Sequence, residues 1–385
     1  MTQTKIPINK PSITSLERKY VADAIANGWG ERCYDYIYRF EAEFAKYMNA
    51  NHALATSSCT GAIHLALMAL GVKAGDEVIV PEITWIASVE PILYVGAKPV
   101  FVDVEKDSWC IDPVKIREAI TSKTKAIIPV HVYGNMCDMD AIMQIAAEYD
   151  LKVLEDAAEA LGSEFNGRKA GSIGHAGVFS FHGTKTMTTG EGGMMVTNDT
   201  HVYERAKVLN DHGRNPKDPE NKMFWMRNYG YKYKMSNLQA ALGCAQIERI
   251  EELVAKKRQI FEWYHALLQE IPCTLNPEPE HIKNSYWLPT LVFDKNIKFN
   301  RNKYFSICIE NNIDCRPFFF PLSTLPMFDS CCTNTVAYDI FSRGINLPSY
   351  HEMSLNEVKR VLNCLTMFLE ASELDNKSSD TDLNV

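Results

Sequence analysis

The chain has 385 residues, 46% hydrophobic and 23% charged, with 40 Lys+Arg against 48 Asp+Glu and a formal net charge of −8. Its 20 glycines and 17 prolines are too few for a collagen-like or low-complexity chain. The acidic balance argues against a general binder of nucleic acid or anionic membrane, while leaving room for a local basic pocket around a phosphorylated ligand.

In chain order, residues 1–12 are polar and carry no apolar h-region, so no secretory signal is expected. Helical spacing follows over 15–26 and 38–48. A small-residue turn, Thr56-Ser57-Ser58-Cys59, opens a helix over 60–70. Short β-branched runs at 77–80, 99–104, 126–132 and 152–154 then alternate with helices at 112–120 and 139–149, the second capped by Asp138 or Asp140. This alternation predicts an α/β fold with a mostly parallel sheet and helices on both faces. Ligands of such sheets sit outside the carboxyl ends of the strands. Trp85, His131, Asp156 and Lys185 are therefore the residues to question, His131 more as a satisfied structural histidine.

Residues 236–268 are strongly helical. After Ile271-Pro272 the character changes, and segments 287–293, 304–311 and 314–320 predict a smaller α+β domain that ends in a helix over 355–369. Single cores seldom exceed ~250–300 residues, which agrees with two domains. The expected division is an N-terminal segment 1–15, a large domain 16–268, a small domain 269–372 and a polar, disordered tail 373–385. No apolar run approaches the ~18–20 residues of a membrane span. Eleven scattered cysteines without a C-x-x-C pair or finger-like spacing to histidine read as reduced thiols. A cytoplasmic chain without metal is the expectation.

Four segments carry candidate chemistry. In VFSFHGTKTMTTGEGGMMVTN (178–198), Lys185 stands between two strand-like runs at a Gly-rich turn, where partial desolvation frees an amine as a nucleophile for a carbonyl. Ser180 is placed to donate to an anion, although an isolated lysine there reads first as a surface residue. In KVLEDAAEALG (152–162) a buried strand delivers Asp156, which either caps a helix or pairs with a protonated heterocyclic nitrogen, the requirement of pyridoxal phosphate (PLP) as electron sink. Hydroxyls and free N–H groups at Ser57–Gly61 make a phosphate cup or a simple N-cap. Trp85 stacks on a flat ring or fills core. Taken together, the four supply an amine, a carboxylate, a phosphate cup and a stacking ring on one sheet.

With these motifs the sequence resembles the DegT/DnrJ/EryC1/StrS sugar aminotransferases of the fold type I PLP superfamily, most closely the perosamine-synthase-like branch. The likeness runs over about 11–369 and shows in SSCTGAIHLALMALGVKAGDEVIVPEITWIAS, LEDAAEALGS, FSFHGTKTMTTGEGGMMVTN, GYKYKMSNLQAALG and RPFFFPLSTLPMF. It implies an aspartate-aminotransferase-like large domain and PLP as cofactor. It also implies L-glutamate as amino donor, a keto-sugar acceptor, and a homodimer whose two chains share the site. Lys185 is implied as the Schiff-base lysine and proton shuttle, Asp156 as partner of the pyridinium nitrogen and Trp85 as the stacking ring. Thr60, Gly61 and Ser180 are implied to hold phosphate, Glu159 to lie beside the ring hydroxyl, and His182 and Arg316 to meet substrate. Three segments depart from the family pattern: Lys232 and Lys234 in GYKYKM, Ser323 where a histidine is usual, and Trp29-Gly30-Glu31-Arg32-Cys33-Tyr34. Lys232 replaces the residue that reaches the neighbour's cofactor phosphate.

The expected activity is transfer of an amino group to a nucleotide-linked 4-keto-6-deoxyhexose for surface polysaccharide. Alternatives are a small phosphorylated ketone as acceptor, or a PLP-binding regulator without turnover. A family dehydratase is disfavoured by Lys185, and a Rossmann oxidoreductase by the missing G-x-G-x-x-G.

Overall fold

We describe a computed structural model in which residues 4–215, 217–218, 224–329 and 333–381 are described, with side chains to 372. The core of the large domain is a seven-stranded sheet. Its strands are β1 (His52–Thr56), β2 (Glu77–Pro81), β3 (Lys98–Val102), β4 (Thr124–Ile127), β5 (Lys152–Asp156), β6 (Ala176–Ser180) and β7 (Gly193–Thr197). The order is β1-β7-β6-β5-β4-β2-β3, and only β7 runs antiparallel to its neighbours. Val78, Ile79, Val80, Val153 and Leu154 are fully buried, as strands covered on both faces require. β1 has no counterpart among the predicted runs, because HALAT lacks β-branched residues except at its end.

The helices lie close to their predicted spans. Ser15–Asn27 starts with a capping box in which Thr14 and Glu17 exchange hydrogen bonds. Met139–Tyr149 is capped by Asp138, which accepts from Ala141 N at 3.1 Å. The long helical stretch after 236 is two helices, Asn237–Glu248 and Ile250–Leu267, that meet at Arg249. Neither Gly nor Pro marks this break. Instead the Arg249 guanidinium is held outside by Glu17 at 2.6 Å and Ser12 Oγ at 3.0 Å.

The small domain holds an antiparallel sheet of β8 (Cys273–Leu275), β9 (Thr290–Phe293), β10 (Arg316–Pro317) and β11 (Gly344–Asn346), in the order β8-β9-β11-β10. Its core joins Leu291, Phe293, Tyr304, Leu365 and Phe368 with Ile260, Tyr264 and Leu268. The last turns of the Ile250–Leu267 helix thus pack into this core. The N-terminal segment also belongs to this junction: Ile6 bridges Ile313, and Ser349 N donates to Ile8 O at 2.8 Å. The final helix runs Leu355–Thr381, through the start of the expected tail, whose residues 382–385 lie outside the described part. Among the described residues no helix is long and apolar enough to cross a membrane.

Candidate active site

The carboxyl ends of β5 and β6, the N-terminus of the helix Cys59–Ala69 and the small domain enclose a cavity of about 500 Å³. Sequence-distant residues meet there: Thr60, Trp85, Asp156, Glu159, Ser180, His182, Lys185, Trp287 and Arg316 all line it.

Asp156 ends β5 and is 4% exposed. Ser88 Oγ donates to its Oδ2 at 2.7 Å, and Ala158 N donates to its Oδ1 at 3.1 Å. Ser88 has one hydroxyl hydrogen and spends it on the carboxylate. Thr84 is therefore the donor in the 2.9 Å bond between the two hydroxyls.

Lys185 follows β6 at the turn before β7. Its Nζ donates to Glu159 Oε1 at 3.1 Å and lies 3.8 Å from the centroid of the Trp287 ring. The second Glu159 oxygen accepts from Tyr133 N at 2.9 Å. Burial pushes the Glu159 carboxyl up from its ordinary range, while the Lys185 charge and the Tyr133 amide oppose that rise. Tyr133 is buried with φ 56°, stacks on Phe319, and accepts from Phe319 N at 2.9 Å, so it backs the Phe319 side of the cavity.

The helix N-terminus opposite is built for close approach. Ser58 Oγ accepts from Gly61 N at 3.1 Å, and a side chain at Gly61 would meet the Tyr233 ring at 2.9 Å. Gly193 is tighter: a Cβ there would lie 2.6 Å from Cys59 N and Ser58 C. Burial holds the Cys59 thiol well above its usual range, so it is a thiol rather than a thiolate at this helix end.

The remaining expected residues are placed as follows. Trp85 is 59% exposed at the cavity mouth. His182 Nδ1 accepts from Thr184 N at 3.3 Å and from Thr184 Oγ1 at 2.9 Å, and its Nε2 lies 3.7 Å from Glu191. Arg316 is paired with Asp314 at 3.0 Å. His131 stands behind the cavity: Cys137 N donates to its Nδ1 at 3.2 Å, so Nε2 is the donor to Glu155 at 2.9 Å. This is the structural histidine expected. Lys232 lies outside this chain's own cavity, with its ammonium 3.5 Å from Asp211. Lys234 shares Asp211 and sits 3.7 Å over the Tyr34 ring. Ser323 is buried, donates to Glu82 at 2.6 Å and meets Tyr338 OH at 2.8 Å, so it belongs to a domain junction rather than the pocket. Sequence reasoning missed Tyr133, Ser88, Trp287 and Phe319. Only Trp287 carried a signal, as a tryptophan just before a small-domain strand.

Comparison with known proteins settles the family. The profile of the DegT/DnrJ/EryC1/StrS aminotransferase family matches residues 11–366. The chain belongs to this family. It is a PLP-dependent aminotransferase with the fold type I architecture. It is 39% identical over 363 residues to a GDP-perosamine synthase of Vibrio cholerae, covering 94% of this chain and 98% of that one. A GDP-perosamine synthase of Escherichia coli O157:H7 is 37% identical with the same coverage. Among solved structures, a Streptococcus pneumoniae protein named as a sugar aminotransferase, in its PMP form, superposes with a TM-score of 0.89 at 28% identity over 98% of this chain and 100% of that one.

Proposed function

We propose that this aminotransferase moves the amino group of L-glutamate to the keto carbon of a nucleotide-linked 4-keto-6-deoxyhexose, in the cytoplasm, as a homodimer whose chains share the site. The likeness to GDP-perosamine synthases over almost the whole of both chains carries this reading. The cavity residues fit PLP. A helix N-terminus where side chains are excluded at Gly61 and Gly193 suits a phosphate, and a buried carboxylate with fixed hydrogen bonds suits a pyridinium. Exposed aromatics such as Trp29, Tyr38, Tyr94 and Tyr229 support a covering second chain.

Bound PLP supplies an electron sink that takes up an amino group and yields it again. In this reading Thr60, Gly61 and Ser180 hold its phosphate, with Lys232 serving the neighbour's site. Asp156, oriented by Ser88 Oγ and Ala158 N, would face the ring nitrogen. Trp85 covers one ring face. The Lys185 amine would hold the cofactor and move the proton at the substrate carbon, with Glu159 Oε1 accepting from that amine. His182 and Arg316, the latter already a partner of Asp314, contact substrate at the mouth.

The test is the visible spectrum of the purified protein before and after L-glutamate, beside Lys185→Ala. A PLP band that L-glutamate bleaches only in wild type, and that a GDP-linked 4-keto-6-deoxyhexose restores, supports the proposal. Restoration by a small phosphorylated ketone alone overturns the acceptor. A bound band indifferent to amino donors makes the chain a regulator.

A further inference from the structure

Lys257 is fully buried in the Ile250–Leu267 helix, on the side facing away from solvent and outside the cavity. Among the described residues its ammonium meets only neutral oxygens: Asn9 Oδ1 at 3.2 Å, Ser349 Oγ at 3.5 Å and the Ser349 carbonyl. A buried cation without a carboxylate is costly, and a methionine would fill the same volume without that cost. The position therefore has a polar task.

The task is visible one residue further on. Asn9 is nearly buried and its amide can stand in only one orientation. Its oxygen faces two donors, Lys257 Nζ and Lys10 N at 2.9 Å, while its Nδ2 donates to the carbonyl of Thr184. Thr184 directly precedes Lys185, and its carbonyl also accepts from Trp287 Nε1 at 2.8 Å. Trp287 thus grips the peptide with its N–H and faces the Lys185 ammonium with its ring. The Lys185 amide itself donates to His182 O at 2.9 Å within the same turn. The peptide carbonyl just before the amine is therefore held by two bonds, one from the small domain and one from the N-terminal segment.

We propose that Asn9, anchored by Lys257, is a positioning residue for Lys185, fixing the peptide before the amine and so its approach to Glu159 and Trp287. This rests on Lys185 being the PLP-binding amine. The clamp joins three separate parts of the chain: the N-terminal segment, the interdomain helix and the Ser349 loop. A loss of alignment of about 1 Å costs up to ~100-fold in rate.

The decisive variant is Asn9→Asp. It keeps an oxygen towards Lys257 and gives that cation a counter-charge, so folding is favoured. It replaces the donor to Thr184 with an oxygen that repels the carbonyl. PLP-loaded wild type and Asn9→Asp are reduced with borohydride and the share of PLP fixed on Lys185 is read by peptide mass spectrometry. The visible PLP absorbance of each is titrated with pH, and kcat and KM are measured. We expect Asn9→Asp to lose about tenfold in kcat with KM little changed, and its absorbance titration to shift in midpoint. A folded Asn9→Asp with wild-type midpoint and kcat overturns the inference. Should it fail to fold, Lys257→Met removes the anchor with little change of volume, and must show the same shift in midpoint; a wild-type midpoint and kcat there overturn the inference equally. Wild type without PLP on Lys185 overturns the functional reading and this inference with it, whereas wild type with PLP there and an unchanged variant overturns the inference alone.

Discussion

Glu159 is the sole carboxylate bonded to the Lys185 ammonium among the described residues, at 3.1 Å, and the same carboxylate fixes Tyr133 through its other oxygen. A glutamine at 159 offers one carbonyl oxygen to two donors, so one contact is lost. With a charge-assisted bond worth ~1.5–3 kcal/mol and half of the pair retained, Glu159→Gln is expected to lower kcat/KM about tenfold at neutral pH. Burial raises the Glu159 pKa, so in wild type the carboxylate takes up a proton as pH falls through that raised value and its bond to the ammonium weakens. That acid-side decline is expected to vanish in the variant. Profiles of kcat/KM against pH for the two proteins check this, and superimposable profiles would sink it.

Ser88 is the buried donor to Asp156, and the charge of that carboxylate is what a ring-nitrogen partner needs. Ser88→Ala removes a bond to an ionised group in a buried place, ~1.5–3 kcal/mol. PLP affinity is expected to fall by about tenfold to a hundredfold, with Lys185 still able to carry the cofactor. A fluorescence titration of the cofactor-stripped variant measures this. An unchanged Kd would mean that Ala158 N alone holds Asp156.

How much of this was legible follows from where each residue finds its neighbours. Asp156 and Lys185 stand at the ends of strands whose apolar runs are unmistakable, so both the sheet and its chemical edge could be read from local pattern. The crowded helix start at Ser57–Gly61 was legible because it lies within five consecutive residues. Trp287 and Phe319, which line the cavity, and Tyr133, which stacks on both, were not, since they meet across 154 positions (Tyr133 to Trp287) and 186 positions (Tyr133 to Phe319) that no local period encodes. β1 was missed because its burial comes from the sheet rather than from β-branched side chains. Arg249 broke a helix through a side-chain network with Ser12 and Glu17 that the helical pattern does not carry. Ser323 was read as a departure in the pocket, and the structure puts it instead in a buried junction with Glu82.

Gly193 and Gly61 flank the same helix end but differ in what crowds them. A methyl at Gly193 meets backbone, Cys59 N and Ser58 C at 2.6 Å and Ser58 O at 2.7 Å, and cannot be accommodated without moving the helix start. At Gly61 the nearest atoms are side-chain rather than backbone, Tyr233 Cγ at 2.9 Å and Cδ1 at 3.0 Å. Gly193→Ala is expected to lose ~1–3 kcal/mol of stability and most PLP binding, and Gly61→Ala less of both. Thermal melting with and without PLP ranks them, and a Gly193→Ala protein that melts and binds like wild type would remove the close-approach argument.

Lys257 makes the stability itself depend on pH. Burial lowers its pKa from an ordinary 10.5 to about 7, although the three oxygens around it favour the ammonium. Between these two values the unfolded chain holds the proton more fully than the folded one. Stability therefore gains from this residue as pH rises from about 7 towards 10.5, and the burial cost of the charge is felt in full below about 7. Lys257→Met has no proton to exchange. Its stability is expected to match or exceed that of wild type near neutral pH, and to show a flatter dependence across that window. Urea unfolding at a series of pH values compares the slopes. Equal slopes in the two proteins would mean that Lys257 keeps its proton on folding, held by Asn9 and Ser349 strongly enough to offset burial.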